Sequence, residues 1–228
     1  MNSLAEQFYD NFIYKDRWLY LVRGLGNTLL VTLLSVVVGI ILGFIVAIIR
    51  STYDKTGKLK ILNFICKIYL MVIRGTPVLV QLLIIYFVFL AKVNNLLLAA
   101  VVAFGLNSGA YVAEIVRSGI MSIDQGQFEA GRSLGFNYIQ TMQVIILPQA
   151  LKNVLPALAN EFIVLLKETS VGGFIGMMDL TRGANVIQAA TYQPFMPLFA
   201  AALIYLVLVV ILTSFVGKLE RRLRVNER

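Results

Sequence analysis

The chain has 228 residues, of which 59% are hydrophobic and 14% charged, and its mean hydropathy of +0.82 is far above what a soluble domain needs to fill one core. Its net charge of +8 indicates anionic lipid rather than nucleic acid as the partner, because Lys and Arg stand in short runs beside apolar segments. Without any His, and with only Cys66, it offers no Ser/His or Cys/His catalytic pair and no metal site.

Long apolar runs without period-two alternation predict membrane-spanning helices rather than a barrel. The charged N-terminus lacks the pattern of a cleaved signal and is expected to be retained. Residues 27–49 are long enough to cross a bilayer and form the first predicted span. Within it, Gly39 and Gly43 have the small-xxx-small spacing that lets another helix approach closely.

The second predicted span, residues 64–91, is interrupted by polar side chains in its first part. Lys67 and Arg74 lie in this part, which is therefore expected to run along the interface as an amphipathic helix. Pro77 is expected to mark a bend before the chain crosses the membrane.

Three further apolar stretches predict spans over residues 96–116, 148–166 and 195–216. Between the last two spans, residues 167–194 predict a short outer or partly re-entrant helix. Together the five spans predict an all-α integral membrane protein with one transmembrane domain over residues 1–228.

Positive charge is concentrated in the loop of residues 50–60, in residues 117–143 and in the tail after the fifth span. Such loops stay in the cytoplasm. We therefore expect the N-terminus outside and the C-terminus in the cytoplasm.

Between spans three and four, a polar stretch predicts a short cytoplasmic helix over about residues 125–135. Asp124 is a candidate N-cap, with Gln127 at the spacing of a capping box, and Gly135 is placed to end the helix. Asn137 opens the next helix with the same spacing. So short a helix needs a surface to dock on. The alternative is an ordinary loop helix.

This stretch resembles the EAA signature of permease subunits of bacterial ATP-binding-cassette importers. The pattern, E-A-A, three residues, G, nine residues, I-x-L-P, is matched in spacing by Glu129-Ala130-Gly131, Gly135, Ile145 and Leu147-Pro148. The one departure is Gly131, where the family has its second Ala.

Other strings resemble the polar amino-acid branch of that family, the histidine-, arginine- and glutamine-type permeases. These are Arg74-Gly75-Thr76-Pro77 with Gln81, residues 110–117, Asn160-Glu161-Phe162 and residues 166–170. The resemblance implies a location in the bacterial inner membrane and two paired permease chains, identical or related. It also implies a cytoplasmic ATPase that moves them by alternating access, and an outer amino-acid-binding protein. The chain has no phosphate-binding G-x-x-x-x-G-K-[ST] loop, so ATP and Mg²⁺ would be bound by the partner ATPase, and we expect no cofactor and no enzyme activity here.

The predicted helix is the expected ATPase-docking element. Glu129 and Arg132 are candidate polar contacts unless they pair with each other, and Ala130 and Gly131 are the expected close-packing face. The full docking set is Gln127, Glu129, Ala130, Gly131, Arg132 and Gly135.

Glu161 is the strongest candidate for substrate binding, because an ionisable side chain at membrane depth is costly. Asn160 and Asn107 could add hydrogen bonds to a zwitterion. A carboxylate favours a basic amino acid such as arginine, lysine or histidine, with glutamine or glutamate as the alternative. Glu161 could instead be structural, satisfied by a neighbouring helix or by Lys167.

Glu114 and Arg117 are expected to form an ion pair at i, i+3 spacing. Arg74 could extend to the interface or anchor the bend, and no transport role is assigned to it. A channel, a secondary transporter or a membrane anchor would explain fewer of these features than an importer does.

Overall fold

The computed structural model describes residues 3–93 and 95–225, and over these ranges the chain folds into helices without a β-strand. The prediction of an all-α protein is confirmed. The short helix α1, Leu4–Phe8, begins with a capping box and continues as a π-helical turn, Tyr9–Ile13, and a 3₁₀ turn, Tyr14–Asp16. These short elements precede the long first span.

Helix α2, Trp18–Thr56, contains the first predicted span and extends beyond it at both ends. Its 39 residues correspond to about 58 Å, roughly twice the hydrocarbon thickness of a bilayer. It ends where Gly57 adopts a left-handed conformation, with φ of +67°, so glycine suits this turn.

The second span is broken as predicted. Helix α3, Lys60–Gly75, meets α4, Val78–Ile84, which continues through a π-helical turn, Ile85–Phe89, and the two arms are bent by 112°. Pro77 is the N-cap of α4 in an extended conformation, because proline cannot continue the preceding helix.

The next part of the chain carries the third span, the short polar helix and the fourth span. These elements are α5, Leu96–Met121, α6, Gln125–Ser133, α7, Tyr138–Thr141, a π-helical turn, Met142–Ile146, and α8, Leu147–Glu168. Helix α6 is thus held between two longer helices, and its bounds agree with the predicted 125–135 to within two residues.

After α8 the chain turns through a 3₁₀ segment, Thr169–Ile175, into α9, Leu180–Thr191, and then into the long α10, Phe195–Val225. Residues 167–194 therefore contain the short helix that the sequence predicts there. Among the described residues, four helical segments are long and apolar enough to cross a membrane, and the bent α3–α4 pair brings the number to five if it forms one span.

Helix α2 packs along α5 through the two glycines of its first-span motif. A Cβ at Gly39 would lie 2.8 Å from the side chain of Ser108, and one at Gly43 would lie 2.5 Å from that of Val112. The predicted close helix approach is confirmed. The first half of α2 packs on α9 and its second half runs toward α6, so the bundle has an α9 end and an α6 end.

Candidate functional site

Glu161 lies in the middle of α8, where only 8% of it is exposed. Its Oε1 accepts a hydrogen bond of 2.9 Å from the Oγ of Ser108, a fully buried residue of α5. This is the satisfied buried acid that the structural alternative predicts, with Ser108 rather than Lys167 as its partner. The bond occupies one of the two carboxylate oxygens, so the group keeps capacity for a further donor.

Glu161 also lines a cavity of about 430 Å³ between α5 and α8. A cavity of this volume is in the range that holds small molecules. It extends from Glu161 toward the α6 end, where Asn153 donates a 2.9 Å hydrogen bond to Ser122. Its other walls carry Arg74, Tyr111, Glu114 and Ser118.

Asn107 is buried but does not line this cavity. Its Nδ2 donates to the Oε1 of Gln81 at 3.0 Å, and the Nε2 of Gln81 donates in turn to the backbone oxygens of Ile73 and Thr76. These bonds hold the two arms of the bent second span against α5. Asn107 therefore supports the bend beside the cavity.

Asn160 is exposed on the surface of α8 and is also absent from the cavity wall. Of the three residues predicted to bind substrate together, the structure brings only Glu161 into the cavity. Asn160 is adjacent to Glu161 on α8 and points about 100° away from it, and Asn107 is bonded to Gln81 instead.

Three charged residues meet at the edge of the cavity. Glu114 Oε1 accepts from the guanidinium of Arg117 at 3.2 Å, which confirms the predicted i, i+3 pair. Glu114 Oε2 also lies 3.5 Å from Nη1 of Arg74, which comes from the end of α3. The Arg74 guanidinium carbon lies 5.8 Å from the ring centroid of Tyr111. Sequence reasoning assigned Arg74 no transport role and did not single out Tyr111 or Ser108, although Ser108, Tyr111 and Ser118 follow helical spacing along α5.

The predicted docking helix α6 is solvent-exposed over most of its surface. Gln127, Glu129, Ala130 and Arg132 are exposed, as is the following Gly135, whose φ of +81° ends the helix as predicted. In the part of the chain that the structure describes, Glu129 and Arg132 do not pair with each other. Both line a second cavity of about 670 Å³ between α6 and the end of α5.

Gly131 differs from its neighbours, because it is buried inside the chain. A Cβ at Gly131 would lie 2.6 Å from the side chain of Thr141 in α7. The close packing at Gly131 is therefore made within this chain, and the docking of the exposed Ala130 stays a prediction. The contact with Thr141 clamps α6 to α7 and so sets the direction of the exposed face.

The caps of α6 and α7 were predicted from the same spacing and turn out differently. Asp124 caps α6 by accepting from the backbone N–H of Gly126, but Gln127 does not complete a capping box, since its Oε1 accepts from Gln149 of α8. Asn137 and Gln140 form the full box at α7. A neighbouring helix competes for Gln127, and that part of the prediction is wrong.

Comparison with known proteins agrees with this architecture. Residues 39–225 match the family described as binding-protein-dependent transport system inner membrane component. The arginine transport system permease protein ArtQ of Bacillus subtilis (strain 168) is 43% identical over 213 residues, covering 91% of this chain and 94% of ArtQ. The glutamine transport system permease protein GlnP of Escherichia coli (strain K12) is 36% identical over 209 residues, covering 90% and 93%.

A crystal structure of an amino acid ABC transporter with histidines contains a chain that is 41% identical to this one. The two superpose with a TM-score of 0.85, over 92% of this chain and 98% of that chain. The family match spans most of the chain, and the helices are long enough to cross a membrane several times. The chain therefore belongs to the inner-membrane components of binding-protein-dependent transport systems, the permease subunits of ATP-binding-cassette importers, as its EAA-like motif predicted.

Proposed function

We propose that this chain forms the membrane path of an ATP-driven importer for a polar amino acid. The cavity beside Glu161 carries the proposal, because it places a buried carboxylate against a space of small-molecule size at membrane depth. Charged groups in such positions are costly and mark substrate paths. The names of relatives, which specify arginine in one case and glutamine in another, support an amino acid as the substrate.

In this proposal Glu161 contacts the cationic part of the substrate. A basic side chain would place its charge there, and a neutral amino acid such as glutamine would place its α-ammonium group there. We favour a basic amino acid, since it offers the carboxylate a second cation to bind. Asn107 acts indirectly by holding the bent span, and Asn160, which is exposed and does not line the cavity, is given no role in this proposal.

Energy enters through α6, which we propose docks on a cytoplasmic ATPase that binds ATP and Mg²⁺. The exposed side chains of Gln127, Glu129 and Arg132 support this role, together with Ala130 and Gly135. Gly131 contributes by packing on Thr141, so that α6 moves together with the α7–α8 segment. Force on α6 would thus reach α8, which carries Glu161.

This role requires the α6 end to face the cytoplasm and the α9 end to face outward, with the N-terminus outside and the C-terminus inside. The binding protein would then deliver substrate at the α9 end, and a second permease chain, identical or related, would complete the complex. Single cysteines test the orientation in a Cys66→Ala background. An impermeant thiol reagent added outside should label Tyr192→Cys, whose native side chain is 91% exposed, and should spare Gln127→Cys. The reverse labelling would overturn the orientation.

ATP hydrolysis by the complete complex in liposomes, with its binding protein, tests the function. We expect stimulation by arginine or lysine in the unaltered complex and its loss in Glu161→Gln. Glu168→Gln is the matched control, because Glu168 ends the same helix without lining the cavity. Stimulation by glutamine alone, unchanged in Glu161→Gln, would keep the importer and remove the role of Glu161. No response to any of these amino acids would contradict the substrate class.

A further inference from the structure

The cavity beside Glu161 has a second charged wall. Arg74, at the end of α3, lines the same 430 Å³ space and presents a cation where Glu161 presents a carboxylate. A free amino acid carries both charges on one carbon. The two walls are therefore complementary to the charged groups of a zwitterion, which an isolated acidic site would not be.

The present partner of Arg74 can be exchanged at small cost. Its pair with Glu114 is a single contact of 3.5 Å, and 43% of the Arg74 side chain is exposed, so the pair contributes little. If Arg74 turned to a ligand, Glu114 would still be paired with Arg117 at 3.2 Å. Arg74 can therefore leave Glu114 without leaving that carboxylate unpaired.

The guanidinium of Arg74 is also held in a useful position. It lies 5.8 Å from the ring centroid of Tyr111, within the range of a cation–π contact that restricts where the side chain goes. A guanidinium offers a planar fork of N–H donors that matches the two oxygens of a carboxylate. A lysine at this position would supply charge without that match.

The two charged walls are both contacted from the same stretch of α5. Ser108 contacts Glu161 and Tyr111 contacts Arg74, and these two α5 residues are three positions apart, an axial separation of about 4.5 Å. Glu161 and Arg74 line one space of about 430 Å³, a volume in the range that holds a small molecule. The same helix therefore sets the spacing of both groups.

We infer that Arg74 binds the α-carboxylate of the transported amino acid, taking it in place of Glu114, while Glu161 holds the cationic group. The inference rests on the proposed function and adds to it a requirement for a free α-carboxylate. The amine that lacks the carboxyl group, and the α-amide, should therefore bind more weakly than the amino acid itself, whatever its side chain.

Equilibrium binding separates this subsite from the selectivity of the binding protein. The purified complex of permease and ATPase subunits, without binding protein or nucleotide, is titrated with L-arginine and L-glutamine and with the α-amide of each. For the amino acid that binds, we expect the acid to bind at least about tenfold more tightly than its amide, the size of one charge-assisted bond. Arg74→Gln should bring this ratio close to one by weakening the acid alone, and Arg74→Lys should give an intermediate ratio.

Lys67→Gln is the matched control. Lys67 lies two turns earlier on α3, contacts an aromatic ring as Arg74 does, and does not line the cavity, so the ratio should stay unchanged. An unchanged ratio in Arg74→Gln, or equal loss of acid and amide binding, would overturn the inference in favour of a purely structural pair with Glu114.

Glu161→Gln tests the proposed function separately, because it should weaken the binding of the acid and of the amide to the same extent. If it changes neither while Arg74→Gln abolishes the ratio, the carboxylate subsite stands and the role of Glu161 falls. Binding of neither amino acid to the unaltered complex would overturn both.

Discussion

At the α9 end of the bundle α2 and α9 meet backbone to backbone, whereas at the α6 end the helices border two open cavities. A Cβ at Gly24 of α2 would lie 2.5 Å from the backbone oxygen of Asp179, and one at Gly183 of α9 would lie 2.5 Å from that of Tyr20. Toward the α6 end, cavities of about 430 and 670 Å³ are lined by charged side chains. The contact leaves no room between α2 and α9, whereas the space beside Glu161 has room for a ligand.

Hydrogen bonds reinforce the contact at the α9 end. The backbone N–H of Leu180 donates to Thr28 at 3.1 Å, and the amide of Asn27 donates to the carbonyl of Met178 at 2.8 Å. Packed interfaces of this kind shift between discrete arrangements rather than deform gradually. We therefore expect the α9 end to control stability and the α6 end to control transport, and three substitutions test this division.

The largest effect is expected for Gly24→Ala. The new methyl group would meet the backbone of Asp179, which cannot move aside as a side chain can, so we expect about 3 kcal/mol of destabilisation. Gly26→Ala is the control, because a Cβ there would meet no atom within 4 Å and alanine favours a helix. Thermal unfolding in detergent should separate the two variants. Equal melting temperatures would show that the α9 contact does not limit stability.

A smaller effect is expected for Asp179→Asn. Asp179 caps α9 by accepting from the N–H of Arg182 at 2.7 Å, and its other oxygen accepts from the N–H of Gly173. An amide can replace only one of these acceptor oxygens and turns a donor toward the remaining N–H. We expect a loss of about 1–2 kcal/mol at neutral pH.

The same variant should show a pH dependence. Burial raises the pKa of Asp179 above its ordinary value of 3.8, although hydrogen bonds from backbone N–H groups lower it in part. The folded state then binds the proton more tightly than the unfolded state, so this contribution to stability is present below pH 3.8 and is lost as the pH rises through the raised pKa. The advantage of the unaltered chain over Asp179→Asn should therefore grow as the pH falls toward 4. An advantage that shrinks on acidification would contradict the raised pKa.

The smallest effect on stability is expected for Gly131→Ala at the α6 end, about 1 kcal/mol, because the new Cβ meets a side chain rather than backbone. Uptake per ATP hydrolysed should fall more clearly than the melting temperature, since α6 would be displaced from α7. Thr141→Ala removes the obstructing atoms, so the double variant should recover coupling. A double variant as impaired as Gly131→Ala alone would show that Gly131 acts outside the chain.

Much of the architecture could be predicted because its causes are local. The bend after Arg74 follows from proline at position 77, and the end of α6 follows from glycine at position 135. The spans follow from apolar runs longer than a bilayer needs. Each of these features depends on residues within a few turns of one helix.

The set of residues that line the cavity could not be predicted in the same way. Asn107 was grouped with Glu161 because both are polar at membrane depth, yet Asn107 turns to Gln81 and Ser108 turns to Glu161. A rotation of about 100° between adjacent residues decides which of them reaches Glu161. That choice depends on the register of α5 against α8, to which every packed side chain contributes.

The sequence by itself thus determined the class of protein, its all-helical architecture, the bend at Pro77 and the short polar helix between α5 and α8. Only the tertiary structure decided that Gly131 packs on Thr141 and that Arg74 shares a cavity with Glu161. Hydropathy and capping act along one helix, where spacing in the sequence is spacing in the molecule. Pairing between helices depends on how their surfaces fit, and no stretch of sequence contains both surfaces.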